Sequence, residues 1–164
     1  MFGNLGDSVS ALRNSEFFDW FSLQPDAAGD GTMTFRPSGA AFHDLVALQA
    51  LTGGDDTLRE LRLTLARSFI DDRRNGAFAL DITKSFLRSA LGETPLVRDL
   101  ERRLANAVDI RRADVAQPEP APLSQGEETM LETYAGLAPE CELCAGELTL
   151  QMQNEDDTLR VRLF

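Results

Sequence analysis

The chain has 164 residues, 43% hydrophobic and 26% charged, which suits one globular domain with a sizeable core over residues 1–164. No apolar run approaches the ~18 residues of a membrane helix, no basic stretch leads into an apolar one as in a secretory leader, and two cysteines exclude a disulfide framework. The net charge of −11 repels nucleic acid and anionic membranes and steers a basic or amphipathic protein toward the chain. A soluble, cytoplasmic protein is the expectation. The charge is uneven: residues 1–60 carry a net −6, residues 61–116 a net +3, and residues 117–164 a net −8.

Residues 8–22 read as a helix capped by Ser8, with Val9, Leu12, Phe17, Trp20 and Phe21 on one stripe. Gln24 to Gly31 is rich in turn residues and reads as a break. Thr32 to Arg36 alternates with β-favouring side chains and predicts a short strand, ended by Pro37 and Gly39. Residues 41–70 fit two templates. Thr57 to Glu60 is a capping-box pattern, with Leu58, Leu61, Leu65 and Phe69 on one helical face. Leu61, Leu63 and Leu65 also alternate as in a half-buried strand, and Gly53 to Asp56 would turn back to a partner at Phe42 to Leu51. Strands are the expectation, because the other strands need sheet partners.

From Ala77 the helical period is clearer. Phe78, Ile82, Phe86, Leu87 and Leu91 share a face, with Asp81, Lys84 and Arg88 on the other, and Gly92 stops the helix. Thr94-Pro95 opens another, carrying Leu96, Leu100, Leu104 and Val108. Residues 113–123 are Pro-rich and read as an exposed linker. Ser124 starts a helix to about Leu137. Leu148, Leu150 and Met152, then Leu159, Val161 and Leu163, alternate around a turn at Asn154 to Asp157 and predict a C-terminal hairpin. The fold class is therefore α+β: an antiparallel sheet with a C-terminal β-hairpin, packed against several helices.

Motifs that could carry chemistry are incomplete. Asp26 to Thr34 resembles the first nine positions of an EF-hand loop, but Ala28 replaces an oxygen ligand and Pro37 the closing acid. Asp71 to Ile82 departs further, with Arg73 at a ligand position. Arg73 and Arg74 near the Asn75-Gly76 amides suit an anion at a helix start, yet Asp71 and Asp72 stand beside them. Cys141 and Cys144 form one CxxC. A zinc site needs four ligands, His43 is the only histidine, and Glu140, Glu142 and Glu147 oppose a reactive thiolate. His43-Asp44 lacks a recognisable nucleophile. Arg98, Arg102, Arg103, Arg111 and Arg112 are basic without interleaved aromatics, so pairing with the acidic segments accounts for them better than nucleic acid does.

The leading functional expectation is a non-catalytic protein-binding accessory, an adaptor or chaperone-like regulator, with a homodimer as one assembly open to it. It would hold a basic or amphipathic partner segment in an apolar groove or on an edge strand rimmed by acids. No metal or cofactor is expected. Leu159, Val161 and Leu163 of the last strand, with Arg98 and Arg102, are the expected partner contacts. Size, acidity and mixed helix-strand order are similar to those of small acidic secretion chaperones, although no motif carries that similarity. Two other readings stand beside it: a small enzyme or ligand-binding domain built from His43, Asp44, Asp71, Asp72 and Asp81, and a metal-binding regulator using Cys141 and Cys144 or the Asp26 to Gly31 loop.

Overall fold

The computed structural model describes residues 2–100 and 123–164. Their strands form a seven-stranded antiparallel sheet, and the fold is α+β. In chain order the strands are β1 (Leu23–Gly29), β2 (Thr32–Pro37), β3 (Val46–Thr52), β4 (Leu58–Ala66), β5 (Glu140–Ala145), β6 (Leu148–Glu155) and β7 (Thr158–Leu163). The sheet order is β1-β2-β3-β4-β7-β6-β5. Two meanders, β1 to β4 and β5 to β7, thus meet where β4 pairs with β7.

Strand wins over helix in residues 46–66 because Leu61, Leu63 and Leu65 find period-two partners in Leu163, Val161 and Leu159. All six of these side chains are buried. Tertiary pairing overrides the helix-compatible spacing of the same leucines. The partner strand β3 begins only at Val46. Before it, the amides of Phe42 and His43 both turn back to the Gly39 carbonyl.

Helices cover one face of the sheet. The predicted N-terminal helix is two short ones, α1 (Val9–Arg13) and α2 (Glu16–Trp20). Ser8 caps the first as expected, and Ser15 breaks the run by capping the second. The break shifts the helical phase, so Phe17 and Phe18 are buried while Trp20 is 63% exposed, contrary to the single stripe expected. Phe2 and Leu5 precede these helices and are fully buried. Gly3, at φ +50°, permits this, since a Cβ there would lie 2.6 Å from the Ser89 carbonyl oxygen.

After β4 come α3 (Arg67–Ile70) and α4 (Gly76–Leu91), which ends at Gly92 as predicted. Residues 95–100 begin α5, with Leu96 and Leu100 buried. The expected continuation through Leu104 and Val108, and residues 113–122 of the expected linker, lie outside the described residues. Helix α6 (Gln125–Tyr134) has a complete capping box between Ser124 and Glu127. It stops before Leu137, because Gly136 takes φ +80° and the Leu137 amide closes onto the Glu132 carbonyl. Leu137 is left 81% exposed.

One predicted break, and one segment given no element, are strands. Residues 23–29 form β1 despite Pro25, because an edge strand tolerates a missing amide. Asp30 and Gly31, both at positive φ, make the two-residue turn into β2. Residues 140–145 form β5, which the sequence masks by mixing glutamate with cysteine. The C-terminal hairpin is as expected in β6 and β7, with the turn confined to Asp156 and Asp157.

Packing runs through a chain of aromatic rings: Phe86 to Phe17, Phe17 to Phe21, Phe21 to Phe78, Phe78 to Phe42 and Phe42 to Phe69. It ties α2, the β2–β3 turn, α3 and α4 together. A polar node fixes α6. Asn154, on the helix side of β6, donates to the carbonyls of Thr133 and Ala138, each at 2.8 Å. Arg67 donates to the Tyr134 carbonyl at 2.9 Å and to Asn154 Oδ1 at 3.3 Å. These bonds satisfy the carbonyls that a helix end leaves open. Among the described residues no helix is long and apolar enough to cross a membrane.

Replacing Asn154 with Ala strands those carbonyls in a partly buried place. The expected outcome is a loss of about 2–3 kcal/mol of stability, read by urea unfolding. A loss under ~0.5 kcal/mol would show that water replaces the amide at no cost.

Candidate interaction face and edge

The face of the sheet opposite the helices is polar. The registers align its side chains in transverse rows. One row runs Glu142, Gln151, Arg162, Arg62, Gln49, Thr34. The next runs Glu140, Gln153, Arg160, Thr64, Ala47. Arg62 and Arg162 stand directly opposite each other on β4 and β7, an arrangement that like charges resist. Glu60 resolves it. Its carboxylate accepts from Arg62 at 2.8 Å and 3.1 Å, and from Arg162 at 2.8 Å and 2.9 Å.

Both guanidiniums also reach glutamine carbonyls, Arg62 to Gln49 and Arg162 to Gln151. The hydrogen bonds from Arg162, then those from Arg62, hold the Glu60 carboxyl below the usual glutamate range despite its burial. Arg162 also lies over the Phe164 ring, 5.0 Å from its centroid. Glu60, Arg62 and Arg162 thus satisfy one another at the centre of the open face, and Glu140 and Glu142 lie exposed at its β5 side.

The two edges differ. At β1, Pro25 lacks an amide and the register shifts between Pro25 and Ala27, which makes a bulge. Both features blunt an edge. At β5 the register with β6 is regular across all six residues, with no proline and no bulge. The Asn154 amide bonds to the Pro139 carbonyl, so the alternation of antiparallel ladders turns Cys141, Leu143 and Ala145 toward β6. The amides and carbonyls of Glu140, Glu142 and Cys144 point outward, and no described residue pairs with them. Their side chains are exposed on the open face. Leu143 points the other way and packs beside Gly126 at the start of α6.

The sequence-predicted partner residues sit elsewhere. β7 is hydrogen-bonded on both sides, to β4 and to β6, so it is not an edge. Leu159, Val161 and Leu163 have no exposed surface and belong to the core. Pairing with β4 uses the last strand's backbone, which local alternation alone could not reveal. Arg98 is exposed on α5, and Arg102 lies outside the described residues, as do Arg103, Arg111 and Arg112.

The residues of the enzymatic reading settle with separate local partners. His43 Nδ1 is 3.1 Å from Asp44, and its Nε2 is 3.8 Å from Asp26. Asp71 pairs with Arg67 at 2.7 Å, and Asp81 with Lys84 at 3.7 Å. Asp72 accepts the amides of Arg74 and Asn75 at 2.8 Å and 2.7 Å, bonds that lower its pKa. The turn's own carboxylate therefore takes the amides that an anion would need. A groove of about 530 Å³ between α1, α2 and β1 is lined by Arg13, Asn14, Phe18 and Asp19, among others, and by none of these five residues.

The calcium reading fails on shape. Asp26 and Asp30 belong to an extended strand and its turn, so their Cα atoms are roughly 13 Å apart at strand rise, and Asp26 is bonded to Arg36 at 3.0 Å. Cys141 and Cys144 lie three residues apart in β5 and project from opposite faces. Cys141 meets Met130 at 3.2 Å on the helix side, and Cys144 is exposed. The two thiols cannot act as one chelating or redox pair. No protein-family model, curated protein or solved structure matches the chain.

Two outcomes follow from this geometry. Burial pushes the Cys141 thiol up, so a thiol reagent at neutral pH should label Cys144 first, as read by peptide mass spectrometry, and equal rates would contradict the placement. Glu60 has a folded pKa below its ordinary value of 4.5, so its stabilisation is present above that value and is lost as pH falls through the folded pKa. Glu60→Gln should therefore be less stable than wild type at pH 7, with the gap closing below about pH 4.5. A gap that stays constant down to pH 2 would show that the charge of Glu60 contributes nothing.

Proposed function

We propose that the protein is a non-catalytic binding accessory that holds an extended segment of a partner protein against the outer edge of β5. The observation that carries this reading is the contrast between the edges: β1 is interrupted by Pro25 and a bulge, while β5 is regular and its outward amides and carbonyls have no described partner. An unprotected edge is a template for a further strand, whose main-chain bonds supply affinity. The acid-rimmed site expected from the sequence moves to this edge, where Glu140 and Glu142 stand on the open face. An enzymatic reading has less to support it, because its five candidate residues are engaged singly.

Glu142→Pro is the direct test. The Glu142 amide faces away from β6, so proline there leaves the β5–β6 ladder intact and closes the outer edge. Native mass spectrometry of the protein purified gently from its own cells should show a bound partner for wild type. Glu142→Pro should lose it while unfolding cooperatively near the wild-type midpoint. Hydrogen exchange at the Glu142 and Cys144 amides should be fast in the free protein and slow in the complex. A partner retained by Glu142→Pro, or no partner with wild type, would overturn the reading.

A further inference from the structure

The chemistry of the edge also specifies the strand that fits it, given the β5 reading above. We infer that the partner is a segment of another protein that alternates apolar and basic residues and pairs antiparallel to β5. The ladder fixes the phase. A strand bonding to the outward groups of Glu140, Glu142 and Cys144 places its own residues directly opposite them, on the open face. The two positions opposite Glu142 and Glu140 are two apart in the partner and face carboxylates, so they favour lysine or arginine. The positions opposite Leu143 and Cys141 lie on the helix side, beside Leu143, Met130 and the start of α6, so they favour apolar side chains. Read from the partner's N-terminus, the pattern is apolar, basic, apolar, basic.

A second copy of this chain fits less well. Antiparallel self-pairing must match the outward-facing residues with each other. Centred on Glu142 it sets Glu142 against itself, and centred on Cys141 it sets Glu140 against Glu142. Centred on Leu143 it avoids direct opposition but gathers four glutamates along one seam. The chain's net charge of −11 acts in the same direction, against self-association and toward a basic partner.

The test is fluorescence anisotropy with labelled synthetic peptides flanked by serine and glycine. One alternates valine and lysine, a second has the same composition in blocks, a third replaces lysine with glutamate, and a fourth is the alternating peptide with N-methylated amides on its pairing edge. Binding of the alternating peptide at least tenfold tighter than the block and N-methylated forms, and no binding of the glutamate peptide, is the expected result. Glu140→Gln with Glu142→Gln should abolish the preference for lysine over glutamate, and Glu142→Pro should abolish binding altogether.

Equal binding of alternating and block peptides would overturn the inference, since a diffuse acidic surface reads no register. So would a charge preference that survives the double glutamine variant. Peptides of either charge bound equally, and lost with Glu142→Pro, would refute the basic pattern while leaving the edge as a binding site. A concentration-dependent dimer abolished by Glu142→Pro, with no peptide bound, would identify the occupant as a second copy and overturn the inference.

Discussion

The pairing of β4 with β7 is the constraint on which the molecule depends. It joins the two meanders into one sheet and sets Leu61, Leu63 and Leu65 against Leu163, Val161 and Leu159 on the covered side. On the other side it places Arg62 beside Arg162, a like-charge pair that Glu60 bridges across 102 residues of sequence. The seam is therefore hydrophobic below and electrostatic above, and neither meander can complete its central strand alone. Contacts this distant in sequence are formed against the entropy of closing a long loop.

The helices answer to the same seam. Arg67 leaves the end of β4, and its amide bonds to the Asp157 carbonyl in the β6–β7 turn. Its guanidinium reaches Asp71, the Tyr134 carbonyl and Asn154. One side chain thus ties the first meander, the second meander and α6. Asn154 completes the tie from β6. With α6 held there, its first turns lie along β5, and Gly126 allows close approach to Leu143. The placement of the β5 edge is a product of these polar bonds as much as of the core.

Local patterns in the sequence announced most of the elements. Ser8, Gly92, Thr94-Pro95 and the Ser124 to Glu127 box mark helix ends through backbone chemistry that acts within a few residues, and they read correctly. The alternation of Leu159, Val161 and Leu163 gave their strand but not its neighbours, since strand order is a long-range property. β1 was hidden because Pro25 and two glycines suit turns and edges alike. β5 was hidden because Glu140, Glu142 and the two cysteines show no β preference, and its strand character comes from β6 and α6. The candidate site was least legible for that reason: it is the place where local propensity is weakest and tertiary context decides. Of the Asp26 to Gly31 stretch only Asp30 and Gly31 turn, Asp26 being part of β1, and near Asn75-Gly76 the Asp72 carboxylate itself accepts the amides that an anion would use.

The glutamates of β5 have a second consequence, in colloidal behaviour. An unpaired strand edge invites identical molecules to stack, and at β5, where no described residue pairs with the outer groups, repulsion between like carboxylates opposes it. That obstacle is soft. At physiological ionic strength charges are screened beyond roughly 8 Å, and at 1 M salt beyond roughly 3 Å, while main-chain hydrogen bonding between strands is scarcely affected. Among the described residues, Glu140 and Glu142 are the charges beside the outer edge of β5, so their opposition to self-stacking there is weaker in concentrated brine than in dilute buffer.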